Sequence, residues 1–112
     1  MNRIALANEF GERAGWFDAS AVTHEFPETT RWDGNNHIGN ATCSQWTHET
    51  LYVTRKGRFV ILRESQRQGS LDTYREISVE YAALWLVRCG YDIPDDMPGL
   101  RRVDAALEKT EV

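Results

Sequence analysis

Cysteine, signal-like segments and long apolar runs are scarce in this sequence, and each shortage excludes a class of protein. Two cysteines, Cys43 and Cys89, are too few for a disulfide scaffold. The longest apolar run, Tyr81 to Val87, is far shorter than the roughly 20 residues that a membrane-spanning helix needs. Glu9 and Glu12 stand where a signal peptide would be apolar. We therefore expect a cytoplasmic protein with reduced thiols and no membrane partner.

The composition is that of a globular protein with an uneven charge. The 112 residues are 41% apolar and 27% charged with a net charge of −4, which suits one domain and disfavours intrinsic disorder. Residues 1–54 sum to −4 and residues 79–112 to −3, whereas residues 55–78 sum to +3. A basic centre can face the phosphates of a nucleic acid. It can equally be a solvated hairpin rim that protects a sheet edge from aggregation, and the acidic chain as a whole favours that interpretation.

The first 30 residues have the spacing of helices. Apolar residues recur at helical intervals near the start of the chain: Ile4, Ala7, Phe10 and Ala14. This spacing predicts a helix over residues 3–14. A second short helix is predicted from Ala19, with Asp18 as its cap and an end before Pro27. Together these elements make an N-terminal helical segment over residues 1–30.

The centre of the chain predicts a β-hairpin. Two apolar runs, residues 51–54 and 59–62, flank a turn at Lys56-Gly57. With a two-residue turn, Arg55 would lie opposite Arg58, and like charges in that position are unfavourable. A bulge or a longer turn is therefore the alternative. Both faces of the hairpin are apolar near the turn, so we expect one face to pack on helices and the other to be covered too.

The remaining elements complete an α+β prediction. Residues 73–77 are predicted to form a third strand, and Ser78 caps a helix over residues 79–89. This helix is apolar nearly all round, so we expect it to be buried between layers. The fold predicted is a small antiparallel sheet of three or so strands packed against two to four helices. It forms a single domain over residues 1–112, with the sheet and central helix in 31–91 and a C-terminal helix in 98–110.

Few residues have catalytic or metal-binding character. His37, Cys43 and His48 are the only cluster of potential ligands, and their spacing lacks the close pairs and the fourth donor of a zinc site. We therefore predict no metal and no cofactor. Cys43 with a histidine base would make a small enzyme, although no helix N-terminus is evident to activate the thiol. Other catalytic motifs, such as the nucleophile elbow and the phosphate-binding loop, are absent, so a non-catalytic role is favoured.

The polar, turn-rich loop at residues 33–45 and the tryptophans beside it form the candidate binding surface. Tryptophan, tyrosine and arginine dominate protein interfaces, and the same residue types stack on nucleic-acid bases. Core packing is the competing interpretation for Trp46. Eight residues are predicted to contact a partner, five from the loop and its flanks and three from the hairpin tip: Trp32, Asn35, Asn36, His37, Trp46, Arg55, Lys56 and Arg58.

Two segments resemble a pattern in small uncharacterised bacterial proteins, many of them carried by phages, plasmids and other mobile elements. The first is Leu51-Tyr-x-Thr-x-x-Gly-Arg-x-x-x-Leu62, and the second is Tyr74-x-x-Ile-Ser-x-Glu-x-Ala-x-x-Trp-Leu86. The stretches Trp32-Asp-Gly-Asn-Asn-His37 and Ser44-Gln-Trp46 fit the same group, so the resemblance covers roughly residues 31–91, and it contains no catalytic signature. It implies a small protein that acts by binding a host protein, as inhibitors of CRISPR systems and of restriction do.

The function predicted is a non-catalytic interaction module from a mobile element, with inhibition of a host defence complex, as by an anti-CRISPR, as its expected role. Its partner is then a protein. Two alternatives stay open: a nucleic-acid-associated regulator that uses the basic hairpin, and a small enzyme that uses Cys43 with a histidine. A sheet that is apolar on both faces also allows a homodimer.

Overall fold

A computed structural model describes residues 1–7, 12–66, 69 and 71–112, and strands predominate among them. The strands are β1 (Arg3–Ala7), β2 (Arg13–Asp18), β3 (His24–Pro27), β4 (Thr30–Trp32), β5 (His37–Gly39), β6 (Thr47–Val53), β7 (Phe59–Ser65) and β8 (Thr73–Ile77). A short 3-10 helix covers Ala19–Ala21, and the two α-helices are α1 (Val79–Arg88) and α2 (Leu100–Thr110).

Six strands form one mixed, curled sheet in the order β2-β1-β8-β7-β6-β3, and β4 pairs with β5 apart from it. The contact between β1 and β8 is parallel, and the other neighbours are antiparallel. The curl brings Phe17 of β2 within 5.9 Å of Tyr52 of β6, measured between ring centroids, although three strands lie between them. The predicted α+β fold, a small antiparallel sheet of three or so strands on two to four helices, is therefore wrong.

Each face of the sheet has its own core. On one face, Leu51 and Val53 of β6 and Phe59 of β7 pack with the buried side of α1. On the other face, Val60 of β7 packs with Phe17 and with Leu6 of β1, because the curl folds the first two strands over it. The expectation that both faces of the hairpin are covered is confirmed. One face is covered by α1, and the other is covered by β1 and β2, the segment for which the sequence predicted a helix.

The N-terminal helical segment is wrong as a prediction. Residues 3–7 and 13–18 are strands, and residues 8–11, which include Phe10, lie outside the described part of the chain. Ile4 and Leu6 alternate with alanines, so the same residues fit a period of two as well as a helical period. Pairing with β2 and β8 and burial over Val60 decide between the two periods. The second predicted helix is only the 3-10 turn, which Asp18 does cap, by accepting a hydrogen bond from the Ser20 N–H at 3.0 Å.

The central hairpin is confirmed with its longer turn. Val53 pairs with Phe59, so Arg55, Lys56 and Gly57 lie in a loop and the two-residue turn is wrong. Gly57 has φ +75°, which a glycine adopts without the strain that a Cβ brings. The register moves Arg58 away from Arg55 and onto Glu76 of β8. The repulsion between the two arginines is thereby avoided.

The third strand and the two C-terminal helices lie close to their predicted bounds. Ser78 caps α1 as expected, by accepting a hydrogen bond from the Tyr81 N–H at 3.1 Å. Burial of α1 between layers is wrong, because Tyr81, Leu84 and Val87 are exposed on its outer side. Among the residues that the structure describes, no helix has both the length and the apolar character needed to cross a membrane.

Candidate functional site

The structure places the eight predicted contact residues at the two ends of β6. The base of the hairpin that carries Trp32 to His37 lies beside the segment before β6, where the Gly39 N–H donates to the Ser44 carbonyl at 2.9 Å, and Trp46 directly precedes β6. The three basic residues follow Val53, where β6 ends. Seven residues of strand span about 20 Å at 3.3 Å per residue. The residues therefore form two surfaces rather than one.

The first surface is a short hairpin formed by β4 and β5, which we call the tryptophan hairpin. Asp33 shapes its turn: the carboxylate accepts hydrogen bonds from the N–H groups of Asn36 at 2.7 Å and Asn35 at 2.8 Å. These two bonds hold the pKa of Asp33 below its usual range. The part of the predicted loop from His37 to Gly39 is a strand, so the stretch is more ordered than a loop of a dozen residues would be.

The tryptophan hairpin presents an aromatic pair. Trp32 and His37 are directly opposite in the register, with ring centroids 5.0 Å apart in an edge-to-face arrangement. Trp32 still exposes 61% of its surface. Asn35 and Asn36 are also exposed, since their backbone groups rather than their side chains make the turn. Four of the predicted contact residues thus meet on one hairpin, and Trp46 is half-exposed at the start of β6.

A buried carboxylate that the sequence analysis missed anchors this hairpin. Glu28 exposes only 1% of its side chain and accepts hydrogen bonds from the N–H groups of Ala41 at 2.8 Å and Glu49 at 3.3 Å. The Nδ1 atom of His48 lies 3.4 Å from the same carboxylate. A buried charge is costly unless several partners surround it. These contacts fix the segment that follows β5 against the beginning of β6.

Glu49 is a second buried acid, and its position among alternating apolar residues could have been noticed in the sequence. It lies on the apolar side of β6 with Leu51 and Val53, where an alternating strand normally has no charge. Its carboxylate accepts hydrogen bonds from Nε1 of Trp85 at 3.1 Å and from Nε of Arg63 at 3.3 Å. Both buried acids are thus structural, and neither is presented to a substrate.

The second surface is a cleft between β2 and the β6–β7 turn, with a volume of about 340 Å³. It contains all three of the basic residues that the sequence analysis selected. Its lining residues come from four strands and the turn: Leu6, Gly15, Trp16, Phe17, Asp18, Thr54, Arg55, Lys56, Arg58, Val60 and Glu76. The sequence analysis missed the β2 wall because it predicted those residues to follow a helix.

The cleft has more available positive than negative charge. The Asp18 carboxylate accepts hydrogen bonds from the Ser20 hydroxyl at 2.6 Å and from the Asn2 N–H at 3.0 Å. These bonds lower its pKa from the ordinary 3.8 to about 2. Glu76 is paired with Arg58, whose Nη2 lies 2.7 Å from Oε1. Arg55 and Lys56 are exposed and make no ion pair within the described part of the chain. Two cations of this cleft are therefore available to a ligand.

The geometry does not assemble a Cys–His pair. Cys43 is exposed with φ +56°, and Nη2 of Arg88 lies 3.9 Å from its sulfur. The histidines have other contacts: His48 with Glu28, His37 with Trp32, and the third, His24, with Asp96 at 3.3 Å. Among the described residues, no group of three or more histidine, cysteine, aspartate and glutamate side chains is placed to hold a metal ion.

No family model matches this chain, and no curated protein or solved structure matches it either. The resemblance to proteins of mobile elements therefore stays a prediction.

Proposed function

We propose that this chain is a non-catalytic protein-binding module, and the exposed tryptophans are the observation that supports this function. Trp32, Trp16 and Trp46 expose 61%, 52% and 46% of their surfaces, while the fourth tryptophan, Trp85, is buried. Large exposed aromatic rings are unfavourable in water and are the side chains that contribute most to protein interfaces. Exposure at three of four positions is best explained by a partner that covers them.

The tryptophan hairpin has the form of a contact element. Its backbone is held by the Asp33 turn and by the Glu28 carboxylate, so Trp32 and His37 are presented on a rigid support. A rigid aromatic anchor loses little conformational entropy on binding. In line with the resemblance to proteins of mobile elements, the partner we propose is a host protein complex of a defence system, which this chain would inhibit by steric occlusion.

Capture from a bacterial lysate tests this function. The purified chain is used as bait, with nuclease added, and the captured proteins are identified by mass spectrometry. Trp32→Ala and Trp46→Ala are expected to reduce capture of a stoichiometric partner at least about tenfold without changing the melting temperature. Tyr81→Ala removes a similarly exposed ring from α1 and is expected to leave capture unchanged. Capture of no protein, or equal capture by all three variants, would contradict the proposal.

Nucleic-acid binding is the second candidate, and the available cations Arg55 and Lys56 favour it. Its signature would be capture that disappears with nuclease and an affinity that falls steeply with salt, because phosphate contacts release counterions.

A further inference from the structure

The edge of β2 is open in the part of the chain that the structure describes. β2 is the outermost strand of the sheet and pairs there with β1 alone. The Ala19 N–H donates to the Asn2 carbonyl at 2.9 Å, so Ala19 and, two residues back, Phe17 direct their backbone groups toward β1. By the same alternation, Trp16 and Asp18 direct their N–H and C=O groups outward. An extended chain can form hydrogen bonds with such an edge.

The cleft is bounded by the same strand. Gly15, Trp16 and Asp18 line one side of it, and the β6–β7 turn lines the other. Gly57 within that turn is buried, and a Cβ at this position would lie 3.5 Å from Pro98 and Gly99, which directly precede α2. The turn therefore has a firm support, and Arg55 and Lys56 are held across the cleft from the open strand edge.

The charges of the cleft select an acidic occupant. Both carboxylates of the cleft already have partners. Asp18 accepts hydrogen bonds from Ser20 and Asn2, and Glu76 is paired with Arg58. Arg55 and Lys56 remain, and pairing them with acidic side chains would give electrostatic complementarity. A nucleic acid would use the cations but not the alternating donors and acceptors of the strand edge. An extended peptide with acidic side chains would use both.

We propose that an extended acidic segment of the partner protein adds as a strand to the open edge of β2, with its carboxylates on Arg55 and Lys56. This inference rests on the proposed protein-binding function and names the chemistry of the partner. β2 has six residues, so its edge is about 20 Å long and matches a segment of similar length. Backbone hydrogen bonds would provide affinity and the two cations would provide the preference for acidic sequences.

A labelled peptide of alternating glutamate and valine tests the inference by fluorescence anisotropy with the full chain at low salt. We expect it to bind, and we expect the double variant Arg55→Glu, Lys56→Glu to weaken binding at least about tenfold. The matched control, Arg101→Glu with Lys109→Glu, makes the same change in net charge at exposed positions of α2. It is expected to retain binding. Loss of affinity in both double variants would mean that net charge alone attracts the peptide, and would overturn the inference.

Two further probes separate strand addition from charge attraction. A peptide of the same charge with proline in place of valine loses the backbone N–H of every second residue, and its prolines fix the backbone φ, so we expect it to bind at least about tenfold more weakly. Amide hydrogen exchange at Trp16 and Asp18 is expected to slow when the alternating peptide is bound. Equal affinity of the proline peptide, or tighter binding of a short oligothymidylate at the same cations, would overturn the inference. If the double variant Arg55→Glu, Lys56→Glu still captured the lysate partner fully, this inference would fail and the protein-binding function would stand.

Discussion

The indole Nε1 of Trp85 donates a hydrogen bond to the carboxylate of Glu49 across 3.1 Å, and both side chains are buried. The bond joins α1 to β6. Arg63 contributes a second donor, with Nε at 3.3 Å from the same carboxylate. Glu49 is therefore a charge whose burial depends on two partners from different elements, and removal of either partner leaves it poorly compensated.

Replacement of Trp85 by phenylalanine tests this dependence. We expect the free energy of unfolding to fall by about 2 kcal/mol or more, because the buried carboxylate loses a charge-assisted hydrogen bond. Urea unfolding measures the change. Trp46→Phe makes the same chemical change at a half-exposed position and is expected to alter stability by less than about 0.5 kcal/mol. Equal losses in the two variants would show that the indole–carboxylate bond contributes nothing.

The close approach of Gly39 to Glu28 gives a second prediction. A Cβ at residue 39 would lie 2.5 Å from Oε1 of Glu28, which is held by backbone N–H groups and has little freedom to move. Gly39→Ala is expected to destabilise the chain by about 1–3 kcal/mol, the cost of a displaced buried acceptor. Glu28→Gln in the same chain should cost less than it does alone, since both substitutions disturb one cluster. Strict additivity in urea unfolding would contradict the contact.

The depressed pKa of Asp18 predicts how stability changes in acid. The Ser20 hydroxyl and the Asn2 N–H stabilise the ionised carboxylate and lower its pKa from 3.8 to about 2. The stability that this carboxylate contributes is therefore complete above pH 3.8 and is lost as the pH falls toward about 2. Asp18→Asn, which keeps an acceptor but not the charge, should be less stable than the unmodified chain near neutral pH.

Melting temperatures measured across the acid range check this sign. The difference between Asp18→Asn and the unmodified chain should shrink as the pH falls below about 4. Asp104→Asn, which removes an exposed carboxylate from α2, should show no such convergence. A difference that stays constant with pH would mean that the asparagine acts through its shape and not through the missing charge.

Local signals sufficed for the part of the fold from β6 to α2. The β6–β7 hairpin has strong strand formers on both sides of a turn, and Ser78 stands directly before an apolar helix, so neighbours in sequence determine these elements. The N-terminal residues have no comparably strong local signal. Ile4 and Leu6 fit two periods, and their strand pairs both with β2, its neighbour in sequence, and with β8, about seventy residues away in the chain.

The candidate site likewise has residues that a local sequence signal predicts and residues that only the fold reveals. Residue type alone selected Trp32, His37 and the basic turn as candidates, because aromatic and arginine side chains are characteristic of interfaces. Neither the role of Glu28 nor the β2 wall of the cleft had a local signal. Glu28 acts on residues 41 and 49, and the cleft requires β2 to curl toward the β6–β7 turn. Such contacts are properties of the fold and not of any one segment.

The reactivity of the two cysteines tests the proposal that this chain is not an enzyme. Cys43 is exposed, whereas Cys89, the C-cap residue of α1, is buried in the core, and burial raises the pKa of its thiol. A thiol reagent in excess should therefore label one sulfur in the folded chain and the second only as the chain unfolds. Cys43→Ser should remove the first phase and leave the second. Labelling of Cys43 much faster than that of free cysteine at neutral pH would indicate an activated nucleophile and would favour the enzyme alternative. We expect a rate below that of an activated nucleophile, because among the described residues no histidine ring contacts the Cys43 sulfur and the cation beside it, Arg88, lies at 3.9 Å.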